Sequence, residues 1–267
     1  MTPRRLSVLD QSPISEGSTG SDALRNTIDL ARHTDALGYH RYWVAEHHGT
    51  PTLACASPEV LIGPIAAATG RIRVGSGGVM LPHYSPLKVA ESFSILAALF
   101  PGRIDLGLGR ASGTDPMTTF ALQRDRRQAA PDDFPQQLAE LLAYFDDAFP
   151  DDHPFRRLSA LPGLPQAPEP WLLGSSAQSA IWAAELGLPY AFADFINRDG
   201  AEIAGHYRKA FEPGGTGIGR PSRSIAIAIR CDAVSRHASS ASSAHSAQTA
   251  TAVTGAASRP PGSNALR

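Results

Sequence analysis

Residues 72–110 read IRVGSGGVMLPHYSPLKVAESFSILAALFPGRIDLGLGR, and the order of residue types in this stretch decides the fold class. One apolar run begins at Ile72 and resumes after a group of glycines, and a second covers Ile104–Leu108. Between them Ser85 and Pro86 form a typical helix start, because serine caps a helix N-terminus and proline suits the first helical position. Apolar residues then recur at helical spacing, at Val89, Phe93, Leu96 and Phe100. The stretch therefore predicts a βαβ unit of a parallel sheet.

The glycines of this unit stand in an unusual place. Gly75-Ser76-Gly77-Gly78 interrupts the first apolar run, where glycine would weaken a strand. Such glycines usually mark a bulge or a close approach by another backbone or a ligand. We therefore expect the chain to bend here and to leave room for a neighbour.

The same βα spacing continues on both sides of the unit. Apolar strand candidates begin near residues 6, 40, 72 and 104, so the intervals are 34, 32 and 32 residues. Three later candidates follow a long polar excursion, at Trp171–Leu173, Pro189–Phe195 and Ser224–Ile229. This regularity predicts a TIM (β/α)8-type barrel. A doubly wound sheet alternates in the same way and stays an alternative.

The last part of the chain has a different composition. Residues 233–267 contain no acidic and no aromatic residue, and only Val234, Val253 and Leu266 are larger aliphatics. Such a segment buries too little apolar surface to offset its ordering entropy, so we predict a disordered, low-complexity tail. Residues 1–232 then form an incomplete barrel domain of seven strands, which lacks the eighth strand and the final helices. We expect this chain to be truncated or frame-shifted relative to a complete ancestor.

Bulk composition narrows the class of protein. The chain has 267 residues, a formal net charge of −1 and a pI near 6.8, which argue for one large α/β domain and against a nucleic-acid surface. No apolar run approaches the roughly 18 residues that a membrane span needs, and no signal peptide is recognisable. Cys55 and Cys231 suggest neither a disulfide framework nor a zinc site. We expect a soluble cytoplasmic enzyme.

A first candidate site follows the second strand, where the sequence reads WVAEHHG over residues 43–49. Strand C-termini form the active face of a parallel barrel, and two histidines with a carboxylate can act as an acid/base set. Neighbouring residues of a strand point to opposite faces, so only one of His47 and His48 should face the cavity. A metal site is less favoured, because neither HExxH nor a third ligand is nearby. Histidines that merely cap and hydrogen-bond are the structural alternative.

A second candidate site combines a cation with a helix start. Arg110 ends the second strand of the quoted unit and suits an anion or phosphate clamp, although a surface salt bridge is an equal alternative. The glycines around it are spaced GxGxxxG, which makes a dinucleotide-binding turn a weak interpretation. Hydroxyl residues at a helix start present free N–H groups to a phosphate, and simple N-capping is the alternative. The residues concerned are Ser175, Ser176 and Ser179, and Asp10, Gln11 and Ser12 at the end of the first strand are further candidates for the mouth.

Long motifs in this order resemble those of the bacterial luciferase-like flavin monooxygenases. The resemblance covers about residues 4–230, and its most specific stretches are RYWVAEHH, ASPEVLIGPIAAAT, RIRVGSGGVMLPHYSPLKVAE, PGRIDLGLGR and PWLLGSS. It implies a (β/α)8 barrel that binds reduced FMN, or in some branches the deazaflavin F420, at its C-terminal mouth.

The resemblance also implies a role for particular residues. His47 matches the family's catalytic base beside the flavin ring, and Arg110 matches an arginine that contacts the flavin phosphate. Gly77 and Gly78 match a non-prolyl cis peptide beneath the isoalloxazine. The phosphate-binding hydroxyl matches Ser176, with Ser175 and Ser179 as neighbouring contributors.

The implied reaction joins several partners. A separate flavin reductase would supply reduced FMN (FMNH2), and the chain would use it with O2 to oxidise a small organic substrate that the sequence does not identify. Homodimers are common in the family. Two alternatives stay open: an F420-dependent oxidoreductase that moves hydride without oxygen, and a non-catalytic, truncated luciferase-like subunit.

Overall fold

The structure is a computed structural model that describes residues 5–110, 115–123, 125–128, 132–158, 161–211, 225–230 and 250–256, the last two ranges by their backbone alone. Its strands are β1 Arg5–Asp10, β2 Arg41–Val44, β3 Arg73–Ser76, β4 Val79–Met80, β5 Ile104–Gly109, β6 Glu169–Gly174, β7 Tyr190–Ala193, β8 Ile225–Arg230 and β9 Ala250–Ala256. Its α-helices are α1 Gly20–Ala36, α2 Pro58–Ala68, α3 Pro86–Leu99, α4 Pro116–Leu122, α5 Phe134–Asp146, α6 Ala177–Glu185 and α7 Gly200–Ala210, with 3₁₀ turns at Leu81–His83 and Arg156–Leu158.

The strands form one closed sheet. β1, β2, β3, β5, β6, β7 and β8 follow one another in parallel, and β3 and β4 both pair with β5 as two halves of one interrupted strand. An open doubly wound sheet would have two free edges, whereas β3 here is paired on both sides. The predicted α/β barrel is therefore confirmed.

The eighth position of the barrel differs from the expectation of a missing strand. β9 occupies it and runs antiparallel between β8 and β1, with Asp10 opposite Ala250 and Arg5 opposite Gly255. Its backbone groups pair on both sides, and this pairing does not depend on a large apolar side chain. A prediction from composition alone misses such a strand. The rest of the predicted disordered tail lies outside the described residues, and so does Cys231.

Local signals explain where the helices begin and end. Thr19 caps α1 by accepting the Asp22 N–H, while the Asp22 carboxylate accepts the Thr19 N–H, so the two form a capping box. Pro58 and Pro86 open α2 and α3, as the Ser-Pro pairs predict. Gly38, at φ +80°, follows α1, where glycine adopts the left-handed conformation with little strain.

The interior of the barrel holds a largely buried ionic cluster at the N-terminal ends of the strands. Asp105 is fully buried and accepts bonds from Arg41, Arg73 and the Trp43 indole. Glu169 lies 3.0 Å from both guanidinium groups. We call these four charged side chains, Arg41, Arg73, Asp105 and Glu169, the basal ion cluster.

Apolar packing surrounds this sheet on its outer face. The main core lies between the strands and helices, and residues such as Ile62, Phe93 and Leu106 are almost fully buried in it. Among the described helices, none is both long and apolar enough to cross a membrane.

Candidate active site

A cleft of about 240 Å³ opens at the C-terminal ends of the strands. Its size is close to the lower end of the roughly 300–1,000 Å³ that small-molecule sites occupy. Side chains on the ends of β1, β2, β5, β6 and β7 line it, as expected for the catalytic face of a parallel barrel. Polar groups gather on one part of its surface, and the apolar residues Trp43, Leu173, Phe192, Phe195 and Ile196 form much of the rest.

His47 presents an imidazole to this cleft. Its backbone N–H donates to the Cys55 carbonyl at 2.9 Å, which fixes the chain just after β2. The ring atom Nδ1 is buried and has no hydrogen-bond partner among the described residues. Burial lowers the pKa of His47, and the Glu46 carboxylate partly opposes that shift. The imidazole is therefore mainly neutral at pH 7.

His48 points away from the cleft. Its Nε2 lies 2.6 Å from Oε1 of the buried Glu46, and its side chain is 13% exposed. Only His47 of the pair lines the cleft, and both histidines lie beyond the end of β2.

The floor of the cleft carries no side chain at Gly77 and Gly78. The peptide between them is cis, and it links β3 to β4. A Cβ on Gly77 would lie 2.4 Å from Leu9 Cδ1, and one on Gly78 would lie 2.8 Å from the Gly107 carbonyl oxygen. Glycine is needed here because the neighbouring groups already fill the space that a side chain would take.

We expect Gly78→Ala to destabilise the fold by about 1–3 kcal/mol, the usual cost of overpacking, because the Gly107 backbone has little room to move. Gly109→Ala is the matched control, since it also lines the cleft and a Cβ there would meet nothing within 4 Å. Urea unfolding followed by circular dichroism measures both. Equal stability of the two variants would contradict the steric argument.

Arg110 lies at the rim with its guanidinium available to a ligand. Its side chain is 55% exposed and meets only the exposed Asp132, at 3.3 Å, among its described partners. An exposed pair of this kind contributes little to stability, so an anion in the cleft can replace Asp132. Arg110 also lines the cleft itself.

The segment that leads into α6 also lines the cleft. Ser175 is a lining residue, and its carbonyl accepts a bond from the Asn197 side chain at 2.8 Å. Ser176 is the exposed N-cap of the nine-residue helix and accepts the Ser179 N–H at 3.3 Å. A guanidinium and the residues before a helix N-terminus at one cleft together suit a phosphate.

Ser179 does not line the cleft. It is buried, donates to the Ser176 carbonyl at 2.8 Å, and lies 2.8 Å from the Tyr190 hydroxyl. The structure therefore brings together five of the seven predicted site residues in the cleft, leaves Ser176 outside it as the N-cap of α6, and leaves Ser179 behind it as a support for the loop. The five that line the cleft are His47, Gly77, Gly78, Arg110 and Ser175.

Of the three candidate site residues at the end of β1, only one lines the cleft. Gln11 lines the cleft, whereas Asp10 and Ser12 are buried elsewhere. Asp10 accepts bonds of 2.6 Å from Thr27 and Tyr42, and so ties β1 to α1 and β2.

Sequence reasoning missed the apolar wall and the partners of Glu46. Phe192, Phe195 and Ile196 lie around the end of β7, in a segment predicted only as a strand. The position of a residue at the C-terminal end of a strand was the available signal for these side chains. Among the residues that the structure describes, no three His, Cys, Asp or Glu side chains form a group that could hold a metal ion.

Comparison with known sequences agrees with the motifs. The sequence model of the luciferase-like monooxygenases matches residues 5–264. The chain is 52% identical to the uncharacterized protein YwcH of Bacillus subtilis over 227 residues, which cover 85% of this chain and 68% of YwcH. It is 48% identical to the N-acetyl-S-alkylcysteine monooxygenase of the same bacterium, over 78% of this chain and 62% of that protein. The chain thus spans 68% of the length of YwcH and 62% of the length of the monooxygenase.

Solved structures show the same fold. Apo-MsnO8 has a TM-score of 0.74 and 47% identity, over 83% of this chain and 63% of that chain. The oxygenating constituent of 3,6-diketocamphane monooxygenase from Pseudomonas putida, solved in complex with FMN, has a TM-score of 0.62 and 19% identity. That match covers 82% of this chain and 64% of the other, and at this identity it is a likeness of fold.

Proposed function

The chain belongs to the luciferase-like monooxygenase family, and on that premise we propose that it binds reduced FMN in the cleft and uses it with O2 to oxygenate a small organic substrate. One observation carries the proposal. Arg110 and Ser175, which lies just before the N-cap of α6, line the same cleft as His47, Gly77 and Gly78. Phosphate, ring and proton-transfer groups thus each have a matching surface in one place.

The described residues fit FMN by their shape and charge. A planar ring can rest on Gly77–Gly78, because neither residue raises a side chain from the floor. The phosphate would be held by Arg110, the hydroxyls of Ser175 and Ser176, and the N–H groups at the start of α6. The apolar wall of Leu173, Phe192 and Phe195 would exclude water from the ring.

His47 is the proposed acid/base group. Reduced FMN supplies the electrons that activate O2. His47 would move a proton to or from the reacting centre through its imidazole, which lines the cleft. Its mainly neutral state at pH 7 suits the role of base.

The substrate class follows from the wall of the cleft. Apolar groups at Phe195 and Ile196 favour a small organic molecule with an apolar part. The name of the Bacillus subtilis relative gives a first trial substrate, an N-acetyl-S-alkylcysteine. A flavin reductase is the proposed source of reduced FMN, and a second copy of the chain is a further proposed partner.

Arg110→Ala tests the phosphate contact. We expect FMN affinity to fall about tenfold to a hundredfold, the loss typical of one charged hydrogen bond, while riboflavin affinity changes little because riboflavin lacks the phosphate. Flavin fluorescence during titration measures both. Arg127→Ala is the control, because the side chain of Arg127 is 89% exposed and does not line the cleft.

Equal weakening of FMN and riboflavin binding would contradict a phosphate contact at Arg110. Binding of F420 without binding of FMN would favour the F420-dependent alternative. O2 uptake after addition of each reduced cofactor separates the two reactions, since hydride transfer to or from F420 consumes no oxygen.

A further inference from the structure

We propose that Glu46 is a positioning residue that holds the catalytic His47 in register with the glycine floor and places a negative charge beside its imidazole. This inference rests on the proposed function of the cleft. It adds to the site a buried carboxylate at the edge of the cleft, which the arrangement proposed above does not use.

The Glu46 carboxylate is buried and accepts bonds from three directions. Oε1 accepts the Tyr84 hydroxyl at 2.7 Å and lies 2.6 Å from His48 Nε2, and Oε2 accepts the Met80 N–H at 2.9 Å. Glu46 is only 2% exposed. The three partners belong to the segment after β2, to β4 and to the turn that precedes α3.

These bonds join the two halves of the proposed site. Glu46 precedes His47 directly in the chain, and Met80 lies two residues beyond Gly78. One carboxylate therefore connects the base to the floor, although 34 residues separate Glu46 from Met80. A base must be held in a narrow range of positions to act on a bound ring, so this connection sets the distance on which proton transfer depends.

No other common side chain of this length provides the same connection. A carboxylate has two oxygens that only accept, and here both accept from donors. Glutamine has one oxygen and one NH2, so its NH2 would face either the Met80 N–H or the Tyr84 and His48 pair. The Tyr84 hydroxyl stays a donor, because burial and then the bond to Glu46 raise the pKa of Tyr84 above its usual value.

The charge of Glu46 also acts on His47. Burial lowers the pKa of His47, the carboxylate of Glu46 raises it, and His48 lowers it. Removing the carboxylate leaves only influences that favour the neutral ring. Other titratable or charged groups around this pair are Tyr84, His83, Glu59, Cys55 and, also lining the cleft, Arg110.

The test uses the apo-protein first. Histidine labelled with ¹⁵N is titrated by NMR in the wild type, Glu46→Gln and Glu46→Asp, and His47→Asn identifies the resonance. We expect Glu46→Gln to lower the pKa of His47 by roughly one unit, the usual effect of losing a nearby opposite charge. Glu46→Asp keeps the charge and should shift that pKa by only a few tenths.

FMN affinity then tests how Glu46 holds the glycine floor through its bond with the Met80 N–H. Glu46→Asp is too short to reach all three donors, so FMN should bind about five- to tenfold more weakly, as for one lost hydrogen bond. Tyr84→Phe removes one donor and keeps the charge, and we expect a smaller loss of affinity with an unchanged pKa of His47.

Each outcome bears on the inference. An unchanged His47 pKa in Glu46→Gln, or wild-type FMN affinity in Glu46→Asp, would overturn it. Glu46→Asp and Tyr84→Phe still test it if the Gln variant does not fold. If the wild type itself binds no FMN, the proposed function fails, while the NMR titration of the apo-protein still decides whether Glu46 controls His47.

Discussion

Asp105→Asn should lower the free energy of unfolding by about 3–5 kcal/mol, the loss typical of breaking a buried ion pair. Asp105 is fully buried in the basal ion cluster. The substitution keeps the shape of the side chain and removes its charge, so the two partly buried guanidinium groups would share the single carboxylate of Glu169.

The hydrogen bonds of Asp105 explain why asparagine is a poor replacement. Oδ1 accepts from Nε and Nη2 of Arg73 at 2.8 and 2.5 Å, and Oδ2 accepts from Arg41 Nε and Trp43 Nε1, both at 2.9 Å. Either orientation of an amide would place its NH2 against two donors. Although burial alone would lower the pKa of Arg73, Asp105 and Glu169 raise it, so the guanidinium stays charged.

Urea unfolding followed by circular dichroism measures this loss. Asp29→Asn is the control, because Asp29 forms an exposed pair with Arg32 at 2.6 Å and such pairs contribute little. A change in Asp105→Asn no larger than that of the control would contradict the prediction. Trp43 connects the cluster to the site, since its Cβ lies 3.1 Å from where a Gly77 Cβ would be. FMN affinity should therefore fall as well.

Most of the barrel could be predicted from local signals in the sequence. Ser57-Pro58 and Ser85-Pro86 mark helix starts, and the strands recur at nearly constant spacing. These signals act within a few residues, so one sequence is enough to recognise them. β9 was not predictable in the same way. β9 is held by backbone pairing with β1 and β8, and no periodicity of apolar residues indicates a strand at these positions.

The candidate site, too, could be predicted from the sequence only in part. His47, Arg110 and Ser176 follow from motifs at the ends of strands, and the structure places the first two in one cleft and makes Ser176 the N-cap of α6, next to the lining residue Ser175. The partners of Glu46 and the basal ion cluster are contacts between distant parts of the chain. Arg41 and Glu169, for example, are 128 residues apart and meet only because the barrel closes. From the sequence alone, polar residues inside strands therefore look like surface positions. Only the closed sheet shows that they meet in the interior of the barrel.

The second large effect concerns His47. His47→Ala should leave FMN affinity within about threefold of the wild type, while oxygenated product formed from an N-acetyl-S-alkylcysteine falls about 10²- to 10⁴-fold, the usual contribution of a general acid or base. His47 lines one wall of the cleft, whereas the proposed phosphate contacts lie at Arg110 and near the start of α6. FMN binding and proton transfer therefore depend on different groups.

The pH dependence of the rate is a second test of the role of His47. Burial lowers the pKa of His47, so the neutral ring predominates at pH 7 and the wild-type rate should fall as the pH drops through that pKa. His47→Ala should lose this limb of the profile. Its control is His33→Ala, on the exposed side of α1, where Nδ1 lies 2.7 Å from the Asp29 carbonyl. Wild-type product formation in His47→Ala would remove His47 from the reaction, and a parallel loss of FMN binding would make it a binding residue instead. Weak product formation with intact FMN binding and no acid limb is the combination that only a proton-transfer role explains.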